Sequence, residues 1–195
     1  RELGARKIAF TSVEKAPSVL APVRLDGSVG GVLFRTAAPA SERATSPSEV
    51  YDCRLVLALH DWSKVLVAHG IDEVRVSSAW RPPSRSWPAG KLALRHPGAL
   101  AVDVKSFGKK LAAGETVKRW LSVESDFHGR IGAAPCGARA RGEKVGAATR
   151  ELRAIVCEVA AQYLFNVILT PNFNRPHRNH VHLDLTAGKR WFIVR

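Results

Sequence analysis

The sequence predicts an α+β fold with a small, largely antiparallel sheet and helices packed on one of its faces. Two stretches have apolar residues at helical spacing, and short runs of alternating apolar residues lie around them in mixed order. The chain has 195 residues, of which 46% are hydrophobic and 24% charged, and it contains no internal repeat. This composition is ordinary for a globular protein with one hydrophobic core.

The N-terminal residues predict an extended segment followed by a linker. Val23–Leu25, the turn residues Asp26 and Gly27, and Val29–Phe34 indicate two strands joined by a tight turn. Residues 37–48 are rich in Pro, Ser and Ala, which is typical of a linker. We therefore place the N-terminal segment at residues 1–45 and the main domain at residues 46–195.

Two amphipathic helices are predicted in the main domain. The first begins after Ser46 or Ser48, where Pro47 suits the first turn of a helix. It ends before Gly70, a residue type that is common just beyond helix C-termini. Its apolar stripe consists of Val50, Cys53, Val56, Leu57, Trp62, Val65 and Leu66. The second helix is predicted over Thr149–Leu164.

Alternating or short apolar runs predict the strands of the main domain. These strands are Val74–Ser78, Leu100–Val104, Phe165–Leu169 and His180–Leu185. Residues 80–94 and 171–179 have the composition of loops, whereas residues 106–148, rich in Gly, Lys and Ala, show no clear pattern.

The chain is strongly basic. Its formal net charge is +13, from 30 basic and 17 acidic side chains, and Arg75–Val102 holds five basic residues and no acidic one. A positive electrostatic field of this kind attracts anionic polymers such as a cell-wall polymer or nucleic acid. The charge could also serve only to keep the protein soluble. No apolar run approaches the ~18–20 residues that span a bilayer. The chain begins with Arg-Glu and has no methionine, so we expect no signal peptide within it.

The three cysteines match no zinc-finger spacing. Cys136 lies in a Gly/Ala-rich stretch and Cys157 on the second predicted helix, so a disulfide between them is one possibility. Cys53 has the position of a buried helix residue.

Two short motifs carry the functional prediction. The run R-H-P-G-A-L-A-V-D places His96 seven residues before Asp103, and N-H-V-H-L-D-L places His180 and His182 on alternate positions of a strand. Because side chains alternate along a strand, His180, His182 and Asp184 share one face, opposite the apolar residues. We expect this polar face to line a cleft on the side of the sheet away from the helices.

These motifs offer the ligands of a catalytic zinc site. Two imidazoles and a carboxylate bind zinc at ~2.0–2.2 Å and leave one coordination position open. Water at such an ion has a pKa of roughly 7, and a further group must then move protons. His180 and His177 are the nearby candidates because imidazole titrates in the right range. His60 and His69 on the first helix are interpreted as structural.

The two motifs resemble those of zinc peptidases. The pattern H-x-x-G-x-A-x-D followed by H-x-H is similar to a group containing D-alanyl-D-alanine carboxypeptidases, murein endopeptidases and, as a structural relative, the hedgehog signalling domain. The run L-T-P-N-F-N-R-P-H-R-N-H-V-H-L-D-L looks most like the bacterial extensin-like C-terminal domain family. The resemblance runs from about Tyr51 to Leu185.

The resemblance implies one role for each candidate residue. It implies His96, Asp103 and His182 as ligands of one zinc ion, His180 as the residue at the catalytic water and His177 as a supporting group. Arg81 matches an arginine that meets the substrate's carboxylate or carbonyl, which a guanidinium binds with two hydrogen bonds. The implied substrate is peptidoglycan, and the implied location is periplasmic or extracellular.

Two departures from these relatives keep alternatives open. Arg95 stands where relatives usually have serine, and Asn179 stands where carboxypeptidase relatives have an acidic general base. The first hypothesis is a zinc peptidase, endopeptidase or carboxypeptidase, acting on peptidoglycan peptides. The second is a non-catalytic zinc-containing module that binds the cell wall or signals. The third, favoured by charge alone, is a metal-dependent protein acting on nucleic acid.

Overall fold

Two β-sheets and the helices around them form the described part of the chain. The computed structural model describes residues 1–88, 90, 93–138, 140, 143–186 and 188–195. Strands β1 to β10 are Phe10–Ser12, Pro22–Leu25, Leu33–Arg35, Tyr51–Asp52, Ile71–Ser78, Ala101–Lys109, Trp120–Ser122, Val167–Leu169, Val181–Asp184 and Ile193–Val194. Helices α1 to α5 are Glu2–Ala5, Ala40–Arg43, Cys53–Ala68, Val123–Asp126 and Ala147–Ala161, with 3₁₀ turns at Pro47–Glu49 and Arg175–His177.

The larger sheet is mixed, so the prediction of a largely antiparallel sheet is wrong. Its order is β10-β8-β9-β6-β5-β3, with β7 pairing β6 beside β9. The central pairs are antiparallel, whereas β3 joins β5 and β10 joins β8 in parallel. Parallel neighbours need a crossover connection, and α3 lies in the one between β3 and β5. The fold class α+β is confirmed.

The core lies between the larger sheet and the two long helices. Trp62 of α3 is 1% exposed, and the rings of Phe34, Phe107 and Phe165 have centroids 6.0, 6.0 and 5.9 Å from its own. These aromatic side chains come from β3, from β6 and from the turn before β8, so one indole joins α3 to three parts of the sheet. Helix α5 adds Leu152, Ile155, Val156 and Val159 to the same core.

The prediction of a hairpin in the N-terminal segment is wrong. Strand β2 pairs with β1 and β4 in a separate three-stranded sheet, while β3 pairs with β5. The turn before β3 lies at Gly30 and Gly31, which have φ angles of 58° and 87°, between the bridged residues Val29 and Val32. A side chain on Gly30 would place Cβ 1.9 Å from Ser63 Oγ, so this turn packs directly on α3.

Helix α3 begins later than predicted. Ser46 caps the short 3₁₀ turn instead, and strand β4 follows. Its second residue, Asp52, is the helix cap, because Asp52 Oδ1 accepts the N–H of Arg54. Cys53 is therefore the first residue of α3 and is half-buried rather than buried. The predicted C-terminus is confirmed, since Gly70 has a φ of 67° just beyond the helix.

The disulfide between Cys136 and Cys157 is present, with 5.6 Å between the Cα atoms. It ties the loop before α5 to that helix. Residues 106–148, which show no clear sequence pattern, contain β7 and α4. The predicted loop at residues 80–94 includes residues 89, 91 and 92, which lie outside the described residues. No helix among the described residues is long and apolar enough to cross a membrane.

Candidate metal centre

The register of two antiparallel strands places two predicted ligands side by side. Asp103 on β6 lies directly opposite His182 on β9. Their strand neighbours Val102 and Val181 are core residues on the other face. The parity argument from the sequence is confirmed for His182, which faces away from the core.

His96 reaches the same point from the loop before β6. The loop is tight, because the N–H of Gly98 donates to Leu94 O at 3.1 Å and the N–H of Ala99 donates to His96 O at 3.0 Å. A Cβ on Gly98 would lie 2.5 Å from the carbonyl carbon of Ala93. Only glycine fits this close approach of two backbone segments, and the fit directs the imidazole towards β6.

Three atoms of these residues form a nearly equilateral triangle. His96 Nε2 lies 3.2 Å from Asp103 Oδ1 and 3.3 Å from His182 Nδ1, and the last two atoms are 2.8 Å apart. Ligands bound tetrahedrally to zinc at ~2.0–2.1 Å are separated from one another by about 3.3–3.4 Å. His96, Asp103 and His182 can therefore hold a zinc ion with small side-chain movements.

The other nitrogen of each imidazole is fixed by an acceptor. His96 Nδ1 lies 2.7 Å from the carbonyl oxygen of Ala79, and His182 Nε2 lies 3.3 Å from Asp184 Oδ2. A carbonyl or carboxylate oxygen only accepts, so these nitrogens carry the hydrogens. In a neutral imidazole the nitrogen inside the triangle then presents a lone pair, as metal-binding histidines do, whereas in an imidazolium it donates a hydrogen bond to Asp103. This donor set suits a cation.

The electrostatics of the triangle also favour positive charge. Burial alone would lower the pKa of His182, but its hydrogen bonds with Asp103 and Asp184 raise it above the usual value. Burial would likewise raise the pKa of Asp103, yet the hydrogen bonds from His182 and His96 hold it well below the usual range. Asp103 is thus a carboxylate, and a cation beside it is stabilised.

The second oxygen of Asp103 is held by side chains of the preceding strand and loop. Arg81 donates from its guanidinium to Asp103 Oδ2, and Ser78 Oγ donates to the same oxygen at 3.3 Å. Arg81 Nε also donates to Ser78 Oγ at 2.9 Å. Arg81, the predicted substrate-binding residue, therefore lies at the centre and is bonded to a ligand, with its side chain 56% exposed.

Two further histidines stand at the edge of the triangle. His180 Nε2 is 3.6 Å from Asp103 Oδ1, and its Nδ1 is 2.8 Å from the amide oxygen of Asn179. His177 Nδ1 is 2.6 Å from Asn174 Oδ1, and the rings of His177 and His180 are 5.0 Å apart. Because an amide oxygen accepts, each Nδ1 is the donor and each Nε2 can accept a proton.

Both edge histidines are neutral near pH 7. Burial, reinforced by the neighbouring His180 and His182, lowers the pKa of His177 to about 4. Burial also lowers the pKa of His180, partly offset by the charge of Asp103. A neutral imidazole is the form that accepts a proton.

The triangle lies in an open cleft of about 930 Å³. The residues that line the cleft beside the triangle include Arg81, Pro83, Trp87, Arg95, Phe173, Trp191 and Ile193. All six candidate residues from the sequence, including His177 and His180, border this cleft.

Other histidines lie elsewhere. His60 contacts Arg6 and His69 contacts Glu158, which agrees with their structural interpretation. His128 is exposed, and its carbonyl accepts from Arg153.

Sequence reasoning misses the residues that orient the imidazoles and the Asp103 carboxylate. Strand parity places Asp184 on the correct face but gives it no role, and it does not indicate the contacts of Asn174 and Ser78. Asn174 does carry a signal, because an asparagine just before a turn commonly caps it. Ala79 acts through its backbone carbonyl, which no side-chain pattern reveals.

Comparison with known proteins identifies a family over most of the chain. The family described as Extensin-like protein C-terminus matches residues 31–195. No curated protein and no solved structure matches the chain. The resemblance predicted from the motifs around His96 and His182 is thereby confirmed at the level of this family. The chain belongs to the extensin-like protein C-terminus family.

Proposed function

We propose that this chain is a zinc-dependent peptidase that hydrolyses amide bonds in bacterial peptidoglycan peptides. The observation that carries the proposal is the triangle of His96 Nε2, Asp103 Oδ1 and His182 Nδ1, with edges of 3.2, 3.3 and 2.8 Å. Each imidazole of the triangle is oriented by an acceptor behind it. The triangle lies in a cleft large enough for a peptide.

The neighbouring side chains suit amide hydrolysis. Zinc bound by the triangle would polarise the substrate carbonyl and lower the pKa of a water molecule. His180 Nε2, 3.6 Å from Asp103 Oδ1, would take the proton from that water and deliver it to the leaving amine. Arg81, half-exposed beside Asp103, would pair with a carboxylate or carbonyl oxygen of the substrate.

The substrate and the location are inferred from the motifs, the charge and the disulfide. The motifs resemble those of peptidases that act on the bacterial cell wall, and the charge of +13 would hold the protein on anionic wall polymers. The disulfide Cys136–Cys157 is typical of proteins in oxidising compartments. We therefore propose a periplasmic or extracellular location.

One observation favours a second candidate, a zinc-containing module that binds the cell wall without hydrolysis. Asn179 occupies the position of the acidic base in carboxypeptidase relatives, and its amide oxygen is engaged with His180 Nδ1 at 2.8 Å. An amide cannot accept a proton at neutral pH. The two candidates therefore differ in whether His180 performs proton transfer.

One preparation tests both candidates. Purified protein is analysed for metal and incubated with peptidoglycan, with and without a chelator, while released muropeptides are measured. One zinc per chain with chelator-sensitive release supports the peptidase, whereas zinc without release supports the binding module.

The ligand assignment has its own test. His182→Ala should lose stoichiometric zinc, while the matched variant His128→Ala, of an exposed histidine, should keep it. Full zinc occupancy in His182→Ala would contradict the assignment.

A further inference from the structure

The residues beside the triangle form an apolar platform on the same face of the sheet. The pairing registers align two rows across the strands: Asp103, His182 and Leu169 in one, and Ala101, Asp184, Val167 and Ile193 in the next. Directly paired residues point to the same face of a sheet. The polar centre on β6 and β9 is therefore continuous with apolar side chains on β8 and β10.

The outer end of this platform is exposed and aromatic. Trp191 is 44% and Ile193 is 42% exposed, and both line the cleft. Phe173, 38% exposed, lines it as well. Exposed large apolar side chains that gather in one cleft are typical of a ligand-binding surface.

Arg95 lies beside the same platform. Its guanidinium, with the side chain 66% exposed, is 3.8 Å from Asp184 Oδ2. Asp184 is paired with Val167, which is paired with Ile193, and neighbouring strands are about 4.8 Å apart. Asp184 and Ile193 are thus about 10 Å apart across the sheet, and Arg95 lies beside Asp184.

The backbone of Arg95 supports a role in binding. Its φ is 49°, in the left-handed region that costs free energy for a residue with a side chain. The strained turn is held because the N–H of Leu100 donates to Arg95 O at 2.8 Å. Strain of this kind is concentrated at functional sites.

The charge of the cleft indicates the sign of the ligand. Among the described side chains that line it, Arg81, Arg95 and Arg195 are cationic and Asp103, already bonded to His182 and Arg81, is the one acidic group. Asp184, 3.8 Å from Arg95, is 1% exposed and is not among the lining residues. A matching ligand has an anionic group for Arg95 and a flat apolar face for Trp191. A pyranose ring that carries a carboxylate has both.

We propose that Arg95, Trp191 and Ile193 form a subsite for an acidic sugar ring next to the metal centre. The sugar's carboxylate pairs with the Arg95 guanidinium, and its C–H face lies on the indole. On the proposed function, this sugar is a unit of the glycan that carries no peptide, because an attached peptide occupies the carboxylate of muramic acid as an amide. Binding of the sugar itself does not depend on that function.

The test is a set of calorimetric titrations of the purified protein with small ligands. N-acetylmuramic acid has ring and carboxylate, N-acetylglucosamine has the ring alone, and L-alanyl-D-glutamate has carboxylates without a ring. We expect N-acetylmuramic acid to bind at least about tenfold more tightly than either of the others. A titration with D-glucuronic acid shows whether the subsite also binds a uronic acid. Binding of either acidic sugar supports the subsite.

Matched variants locate the binding. Arg95→Gln should weaken N-acetylmuramic acid by about tenfold or more and leave N-acetylglucosamine unchanged, while Trp191→Ala should weaken both. Arg119→Gln and Phe192→Ala, an exposed arginine and an exposed aromatic that do not line the cleft, should bind as the parent does. Arg95→Lys, which keeps the charge without the planar fork, should lose less than Arg95→Gln.

Two results would overturn the subsite. One is the acidic dipeptide binding as tightly as the acidic sugar, which would assign the platform to peptide side chains. The other is unchanged sugar binding in a folded Arg95→Gln or Trp191→Ala variant. Because these titrations require no turnover, a protein without zinc or hydrolysis that still binds the sugar would refute the peptidase and leave the subsite standing.

Discussion

Zinc affinity should depend on Asp184, although that carboxylate is not in the triangle. Asp184 is 1% exposed, and its Oδ2 lies 3.3 Å from His182 Nε2. Replacing such an orienting partner typically weakens metal binding 10–100-fold, or ~1.4–2.7 kcal/mol. In Asp184→Asn the amide oxygen can still accept from Nε2, but the negative charge is lost. We therefore expect the lower end, about a tenfold weaker Kd for zinc.

The measurement is competition for zinc with a chromogenic chelator. Asp61→Asn is the matched control, because Asp61 lies 3.6 Å from His60 Nδ1 on α3, away from the cleft. It makes the same change beside another histidine. Equal zinc affinity in Asp184→Asn and the parent, or an equal loss in Asp61→Asn, would refute the argument that Asp184 orients His182.

Further predictions concern turnover, stability and pH. His180→Ala should retain zinc and lose turnover by about a hundredfold or more, while His60→Ala should lose none; unchanged turnover would remove His180 from the mechanism. Cys157→Ser opens a disulfide with a sequence separation of 21 and should lower the free energy of unfolding in urea by about 3 kcal/mol, whereas Cys53→Ser should not. Burial lowers the pKa of His177 from 6.5 to about 4, so between these values the unfolded chain binds more protons and stability falls as the pH falls. His177→Gln should therefore lose less stability than the parent between about pH 7 and pH 5 in urea unfolding, and an equal loss would contradict the shift.

Strand parity explains why so much of the centre was predictable. Alternation along His180–Leu185 fixes which side chains face the core, and the core residues Val181 and Leu183 leave no other arrangement for His182. The direct pairing of Asp103 with His182 is different, because register between distant strands depends on tertiary packing. The motif resemblance supplied that link, and the pairing agrees with it.

Local signals failed where another part of the chain decided the structure. Asp26 and Gly27 indicate a tight turn, but β3 is drawn into the larger sheet by pairing with β5, so no hairpin forms. Ser46 is a good cap and does cap a turn, yet Tyr51 and Asp52 pair with β2 and delay α3. In each case a long-range strand pairing prevailed over a local preference.

Asn179 does not by itself exclude a peptidase. An acidic residue there would act as the base, whereas the amide oxygen of Asn179 accepts from His180 Nδ1 and leaves Nε2 facing the centre, 3.6 Å from Asp103 Oδ1. The role of the base can thus pass from residue 179 to His180, whose Nε2 would accept the proton at the centre. This arrangement requires a hydrogen-bond acceptor at position 179 and an imidazole at position 180. The proposed hydrolysis therefore depends on His180 to an extent that wall binding does not, so a peptidase should lose turnover in His180→Ala while it keeps zinc and wall binding.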